Sequence, residues 1–160
     1  MTWKIALVGF CVAASACSAY EGRVSQAVER LRTLHEVGSD HVGYAGTPHA
    51  FYLLFSELQH ACTNKDVTDM VHDANPIVRI MGAKCVVDGP WRKIDKAVLN
   101  PLVSDKTEIL VGPGGCVFRH MTVGAVVLAL VRDPGFLGVR ETKVKPAGIP
   151  AAWADWRETE

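Results

Sequence analysis

The chain lacks an apolar run long enough to cross a membrane, lacks an excess of either charge, and lacks the motif of a familiar catalytic device. Its apolar stretch from Ile5 to Ala16 would span about 18 Å as a helix at roughly 1.5 Å per residue, against a hydrocarbon core about 30 Å thick. The stretch Val123 to Val131 is shorter still. The 17 basic and 17 acidic residues balance, which leaves no electrostatic footprint for nucleic acid or for an anionic membrane surface. A partner must therefore be recognised by shape and local chemistry.

The missing motifs exclude further classes. A serine hydrolase elbow, G-x-S-x-G, is absent. A phosphate loop needs Gly-Lys-Ser/Thr after its glycines, whereas Gly112-Pro113-Gly114-Gly115 runs into Cys116-Val117 and reads as a turn. His35, His41, His49, His60, His72 and His120 never fall four residues apart, so no helical chelate for zinc is on offer. No metal site and no cofactor are expected.

What is present begins with an export signal. Lys4, the apolar run Ile5 to Ala16 and the polar residues from Glu21 onward follow the order of a secretory signal peptide. The junction Ala14-Ser15-Ala16-Cys17 places small residues before the cut and a cysteine after it. It resembles the lipobox of bacterial lipoproteins, with Ala14 where leucine is usual. That resemblance implies acylation of Cys17, and Ser18 then resembles an outer-membrane sorting residue; cleavage before an unmodified Cys17 is the alternative. Two or three acyl chains at about 0.8 kcal/mol per buried methylene would hold the domain on a bilayer. The expected location is the periplasmic side of the cell envelope, anchored in the outer membrane, or the secreted fraction.

Residues 1–16 are thus a signal, 17–135 a helical domain and 136–160 an irregular tail. Loss of Lys4 leaves 16 basic residues against 17 acidic ones. Three thiols remain beside Cys17, and in an oxidising compartment one disulfide and one leftover cysteine is the simplest accounting. Three pairings are open. Cys85 with Cys116 is favoured, because the glycines before Cys116 can adapt to bond geometry. Cys62 then reads as a buried apolar residue.

Helical spacing recurs along the domain. Val24, Val28, Leu31 and Leu34 line one face over 22–35. Gly38 to Gly46 breaks the pattern, and Thr47-Pro48 opens a second helix carrying Phe51, Leu54, Phe55, Leu58 and Cys62. Val67, Met70 and Val71 mark a short third helix. Asp73-Ala74-Asn75-Pro76 makes a turn in which Asn75 caps and Pro76 opens the helix of Ile77, Ile80, Met81 and Cys85. Ile94, Val98 and Leu99 fit a further short helix that ends before Pro101. Thr107 to Val111 is strand-like, and Thr122 caps a core helix over Val123 to Val131. The fold expected is mainly α, with a short irregular or β-like segment near 107–119.

The segment from Val67 to Val87 resembles one repeat of the HEAT/armadillo type, on its short helix, its turn Asp73-Asn75-Pro76, and the Val78-Arg79 and Gly82-Ala83 of the helix that follows. The resemblance implies that Arg79 bonds the turn carboxylate and that Gly82 and Ala83 pack against the neighbouring helix. Pro76 to Val131 also resembles uncharacterised bacterial secreted or lipid-anchored proteins, a likeness that brings no activity with it. Solenoids stack several repeats to bury a continuous core. One clear unit implies a compact helical domain.

The function expected is a non-catalytic, envelope-associated interaction module with a protein partner. The alternative is an enzyme whose site is assembled from the loops 38–46 and 112–120. Cys116 with His120 is the sequence-local candidate for an activated thiol, since a cysteine nucleophile needs a nearby base. Asp66 and Asp69 are the candidate carboxylate pair, although acidic residues in a first helical turn follow from the helix dipole alone.

Overall fold

The computed structural model describes residues 22–89, 95–133 and 135–138. The signal 1–16, Cys17 and the tail from 139 to 160 lie outside the described residues. Helix α1 (Gly22–Arg32) is followed by strand β1 (Glu36–Gly38), then helices α2 (Ala50–Leu58), α3 (Asn64–Val71) and α4 (Pro76–Asp88). A 3-10 turn (Lys96–Leu99) runs into α5 (Asn100–Val103), and β2 (Glu108–Gly114), β3 (Val117–Thr122) and α6 (Val123–Arg132) complete the order.

The helices start where side chains can satisfy their first N–H groups. Thr63 and Asp66 form a reciprocal capping box on α3. Asn75 Oδ1 accepts from the Ile77 and Val78 N–H groups while Pro76 supplies a preset first turn to α4. Thr122 accepts from Ala125 N–H at 3.2 Å to begin α6. Two starts differ from the expectation. His49, not Thr47, caps α2, because the Thr47 backbone is engaged in a two-way bridge to Val42. Pro101 does not end a helix but opens α5 directly after the 3-10 turn, where its missing N–H has no cost.

Helix α4 is the centre of the core. Ile77, Val78, Ile80, Met81, Ala83, Cys85 and Val86 are all buried, so the helix is apolar nearly all round and touches α1, α2, α3 and α6. Gly82 makes the α3 crossing possible: a Cβ there would lie 2.8 Å from the Val71 nitrogen and 3.0 Å from Met70 Cβ. Gly124 does the same for α6 on α5, since its Cβ would meet the Val103 carbonyl oxygen at 2.3 Å. Leu137, beyond α6, is also fully buried. The one buried lysine among the described residues, Lys84, pairs with Asp88 at 2.8 Å and sets its ammonium 4.6 Å from the centre of the Phe55 ring. That arrangement pairs a charge that desolvation would otherwise penalise heavily.

The expectation of a mainly α, HEAT/armadillo-like domain with a short β-like segment near 107–119 is overturned by a three-stranded mixed sheet in the order β1-β2-β3. β1 pairs in parallel with β2 (Glu36↔Leu110, Val37↔Val111, Gly38↔Gly112), and β2 pairs antiparallel with β3 (Glu108↔Thr122 through Val111↔Arg119). The glycine run is not simply a turn. β2 continues to Gly114, with a register shift between Val111 and Gly114 where Pro113 stands, and the chain reverses only at Gly115-Cys116, Gly115 having φ +65°. Val37, Ile109 and Val111 turn one face of this sheet into the helical core.

The expected Cys85–Cys116 disulfide is likewise overturned. No disulfide joins Cys62, Cys85 and Cys116: Cys85 is enclosed in the α4 core and Cys116 is exposed at the tip of the β2–β3 hairpin. A thiol in mid-core cannot reach one on a solvent-facing turn without moving backbone.

Candidate functional site

The second face and open edge of the sheet bring together residues that are far apart in the chain. Gly38 and Gly112 sit side by side across β1 and β2. A Cβ on Gly38 would lie 2.6 Å from His49 Cγ, and one on Gly112 would lie 2.6 Å from Phe118 Cε1. Two missing side chains thus make a trough in which the His49 and Phe118 rings lie, their centres 6.5 Å apart and tilted by 58°.

His49 is fixed at both nitrogens. Nδ1 accepts from the Phe51 N–H at 3.1 Å as the α2 cap, so Nε2 carries the proton and donates to Glu36 Oε1 at 3.2 Å. The His49 backbone N–H donates to the Ser39 carbonyl at 3.0 Å, and the Ser39 N–H donates to that of Gly112 at 3.1 Å. These bonds tie the start of α2 to the sheet.

The two loops named as walls of an assembled site do meet. Gly43 N–H donates to the Gly115 carbonyl at 2.7 Å, and Gly115 N–H donates to the His41 carbonyl at 2.8 Å. Around them stand Asp40 with His41, 2.8 Å apart, the fully exposed Tyr44 and the exposed Cys116. The nucleophile candidates are not assembled with a base. The three strand steps from Val117 to His120 span about 10 Å at roughly 3.3 Å per residue, so His120 lies well beyond hydrogen-bond reach of Cys116. The buried thiols are held protonated: burial pushes Cys62 up to about 12, with the Asp66 charge adding to it. Burial also pushes Cys85 well above its ordinary value. Asp66 is the α3 capping-box carboxylate and Asp69 pairs with Lys65, which separates the candidate carboxylates into two structural roles. Among the described residues, no three histidine, cysteine or acidic side chains gather as a metal would need.

β3 is an edge. Among the described residues no strand lies beyond it, and none of its six residues is buried. The Val123 N–H donates to the Thr107 carbonyl at 2.9 Å, continuing the β2 ladder. Alternation along that ladder turns the backbone N–H and C=O of Met121 and Arg119 toward β2 and those of His120 away from it, to the open side. Val117 is 67 % exposed, and Arg119 makes no ion pair among the described residues. Sequence reading missed this strand and the Glu36–His49 pair. The signal for the pair was a histidine immediately before an apolar helix.

The repeat-like residues adjoin the approach to β2. Arg79 Nη1 donates to the backbone carbonyls of Asp73 and Ala74 at 2.9 and 2.8 Å, while Nε donates to Asp105 Oδ2 at 3.0 Å. The turn carboxylate itself is not Arg79's partner: Asp73 accepts from the Asn75 N–H and from Arg32 Nη2. Burial alone would raise Asp105. The Thr107 N–H and hydroxyl and the Arg79 guanidinium outweigh it, and the carboxyl sits below its ordinary value. Asp73, Asn75, Pro76 and Arg79 are therefore brought together, as a brace between the α3–α4 turn and the approach to β2.

Set against protein-family models, the sequence matches none. No curated protein matches it either. No helix among the described residues is long and apolar enough to cross a membrane.

Proposed function

We propose that this chain is a non-catalytic interaction module of the cell envelope that pairs an extended segment of a protein partner along the open edge of β3. The observation that carries the reading is the edge itself: a six-residue strand, none of it buried, with outward backbone donors and acceptors at His120 and the apolar Val117 exposed on it. Open strand edges are templates for another chain. Main-chain bonds supply affinity in such pairing, and Arg119 selects for an acidic residue on the partner. A HEAT-like origin of the α3–α4 pair is compatible with this role, as part of the scaffold that holds the sheet. Tethering through an acylated Cys17 would keep the edge near a membrane, and intact mass of the mature protein reads that modification directly: a bare thiol removes the anchor from the proposal.

The edge is tested by placing a photo-crosslinking residue at Val117, and at exposed Lys65 as a control, in intact envelopes. A discrete protein adduct is expected at 117 alone, and it should vanish with His120→Pro, which deletes an outward N–H and leaves the β2 ladder intact. Equal labelling at both positions overturns the reading. The second reading, an enzyme built from loops 38–46 and 112–120, is favoured by the contact of those loops through Gly43 and Gly115. Against it stand the engagement of both His49 nitrogens and the separation of Cys116 from His120. An activity abolished by Cys116→Ser would favour it over the first.

A further inference from the structure

Away from the sheet, α1 and the end of α2 enclose a groove of about 480 Å³ lined by Arg23, Gln26, Ala27, Arg30, Glu57, Leu58, His60 and Ala61. That volume falls within the usual range for small-molecule sites. Arg23, Gln26 or Ala27, and Arg30 recur at three- and four-residue steps, so α1 presents them on one face. Ala27 and Leu58 are buried and form an apolar floor, while the polar groups stand above it.

We infer that this groove binds a phosphate group carried on an apolar or amphipathic body. The side chains of three polar lining residues, Arg23, Gln26 and His60, make no hydrogen bond or ion pair among the described residues. They offer a guanidinium fork, an amide and an imidazole to one space. The second arginine, Arg30, is held across the groove by Glu57, with Nη1 3.2 and 3.1 Å from the two carboxylate oxygens, which links the two helices there. Counting Arg23, Arg30 and Glu57, the groove has one net positive charge. The carbonyls at the α2 terminus do not oppose an anion as bare acceptors: Phe55 O accepts from Gln59, and Leu58 O accepts from both Ala61 and Cys62. A tetrahedral phosphate uses several separated donors better than a planar carboxylate does. The apolar floor calls for a non-polar body attached to it.

The phosphate source is either a soluble phosphate ester or a phospholipid headgroup. Only four residues lie between Cys17 and Gly22 at the start of α1, so a headgroup would be within reach of an anchored chain. The groove does not depend on the β3-edge reading, and the two fail separately. The full chain carrying Cys17→Ser, which cannot be acylated, is titrated with inorganic phosphate and with vesicles of phosphatidylcholine alone or mixed with phosphatidylglycerol. Saturable phosphate binding by about 10 mM without vesicle binding points to a soluble ester. Binding to the phosphatidylglycerol vesicles that inorganic phosphate competes away points to a headgroup. In either case Arg23→Gln should weaken binding about ten-fold, and Arg23→Gln with His60→Gln should weaken it further, at an unchanged thermal midpoint because both side chains are exposed. No binding in either arm, or binding the double variant leaves unchanged, overturns the inference.

Discussion

The α3–α4 pair and the β1-β2-β3 sheet are built on opposite principles. The helix pair is contiguous: a capping box at Thr63, a cap and proline at Asn75-Pro76, and a small residue at Gly82 where the helices cross, all within one short stretch. The sheet joins Glu36 to Leu110 and Gly38 to Gly112, pairs about 70 residues apart. Stability in the first comes from close packing of apolar residues around α4. In the second it comes from directional links, among them His49 between Glu36 and the Phe51 N–H. Exposed and half-buried residues belong mainly to the second, which is why the proposed docking edge lies there.

This contrast can be broken at three points. The largest effect is expected in the helical half. Asp88→Ala would strand the Lys84 ammonium, whose side chain is 2 % exposed, and removing one partner of such a pair costs about 3–5 kcal/mol. Chemical denaturation should show that loss, and Lys84→Met with Asp88→Leu should recover most of it. A double variant no more stable than Asp88→Ala would mean that the pair is not what Asp88 contributes.

A smaller effect is expected on the sheet side. His49→Ala removes the α2 cap and the link to Glu36, and loss of a cap costs about 1 kcal/mol. His49→Asn, which caps but cannot reach Glu36 in the same way, should restore the cap's share. Hydrogen exchange should speed up in β1 and at the start of α2 while α4 remains protected. Uniform loss of protection would mean that the two regions are one cooperative unit.

The smallest effect lies at the brace between them. Asp105 has its pKa lowered in the fold, so its contribution to stability is present above the ordinary aspartate value of about 3.9 and is lost as pH falls through the folded value. Asp105→Asn should therefore flatten the acid limb of the stability curve below about pH 4 and lower the plateau above it. An unchanged acid limb would remove the brace from the account of acid stability.

Much of the helical half was legible in the sequence. The spacing of Ile77, Ile80, Met81 and Cys85, the cap at Asn75 and the proline at Pro76 all act within a few residues, and the structure uses them that way. The sheet was not legible for a physical reason. β3 is an edge strand whose side chains follow no buried–exposed alternation, so Val117 to Thr122 carries no period to read. Gly112 and Gly114 suggest a turn to any local rule, and only the rings of Phe118 and His49 explain why glycine is needed at Gly112 and at Gly38. The disulfide expectation failed likewise: cysteine count says nothing about which thiol is enclosed in α4 and which is at a hairpin tip.

By itself, then, the sequence determined where most of the helices begin, which faces they bury and where the α3–α4 turn lies, because capping, proline geometry and apolar spacing are local. Only the tertiary structure decided the sheet, the Lys84–Asp88 pair, the partners of Arg79 and the groove between α1 and α2. Those depend on which distant segments share a surface, and that is set by how the whole core closes around α4 rather than by any short run of residues.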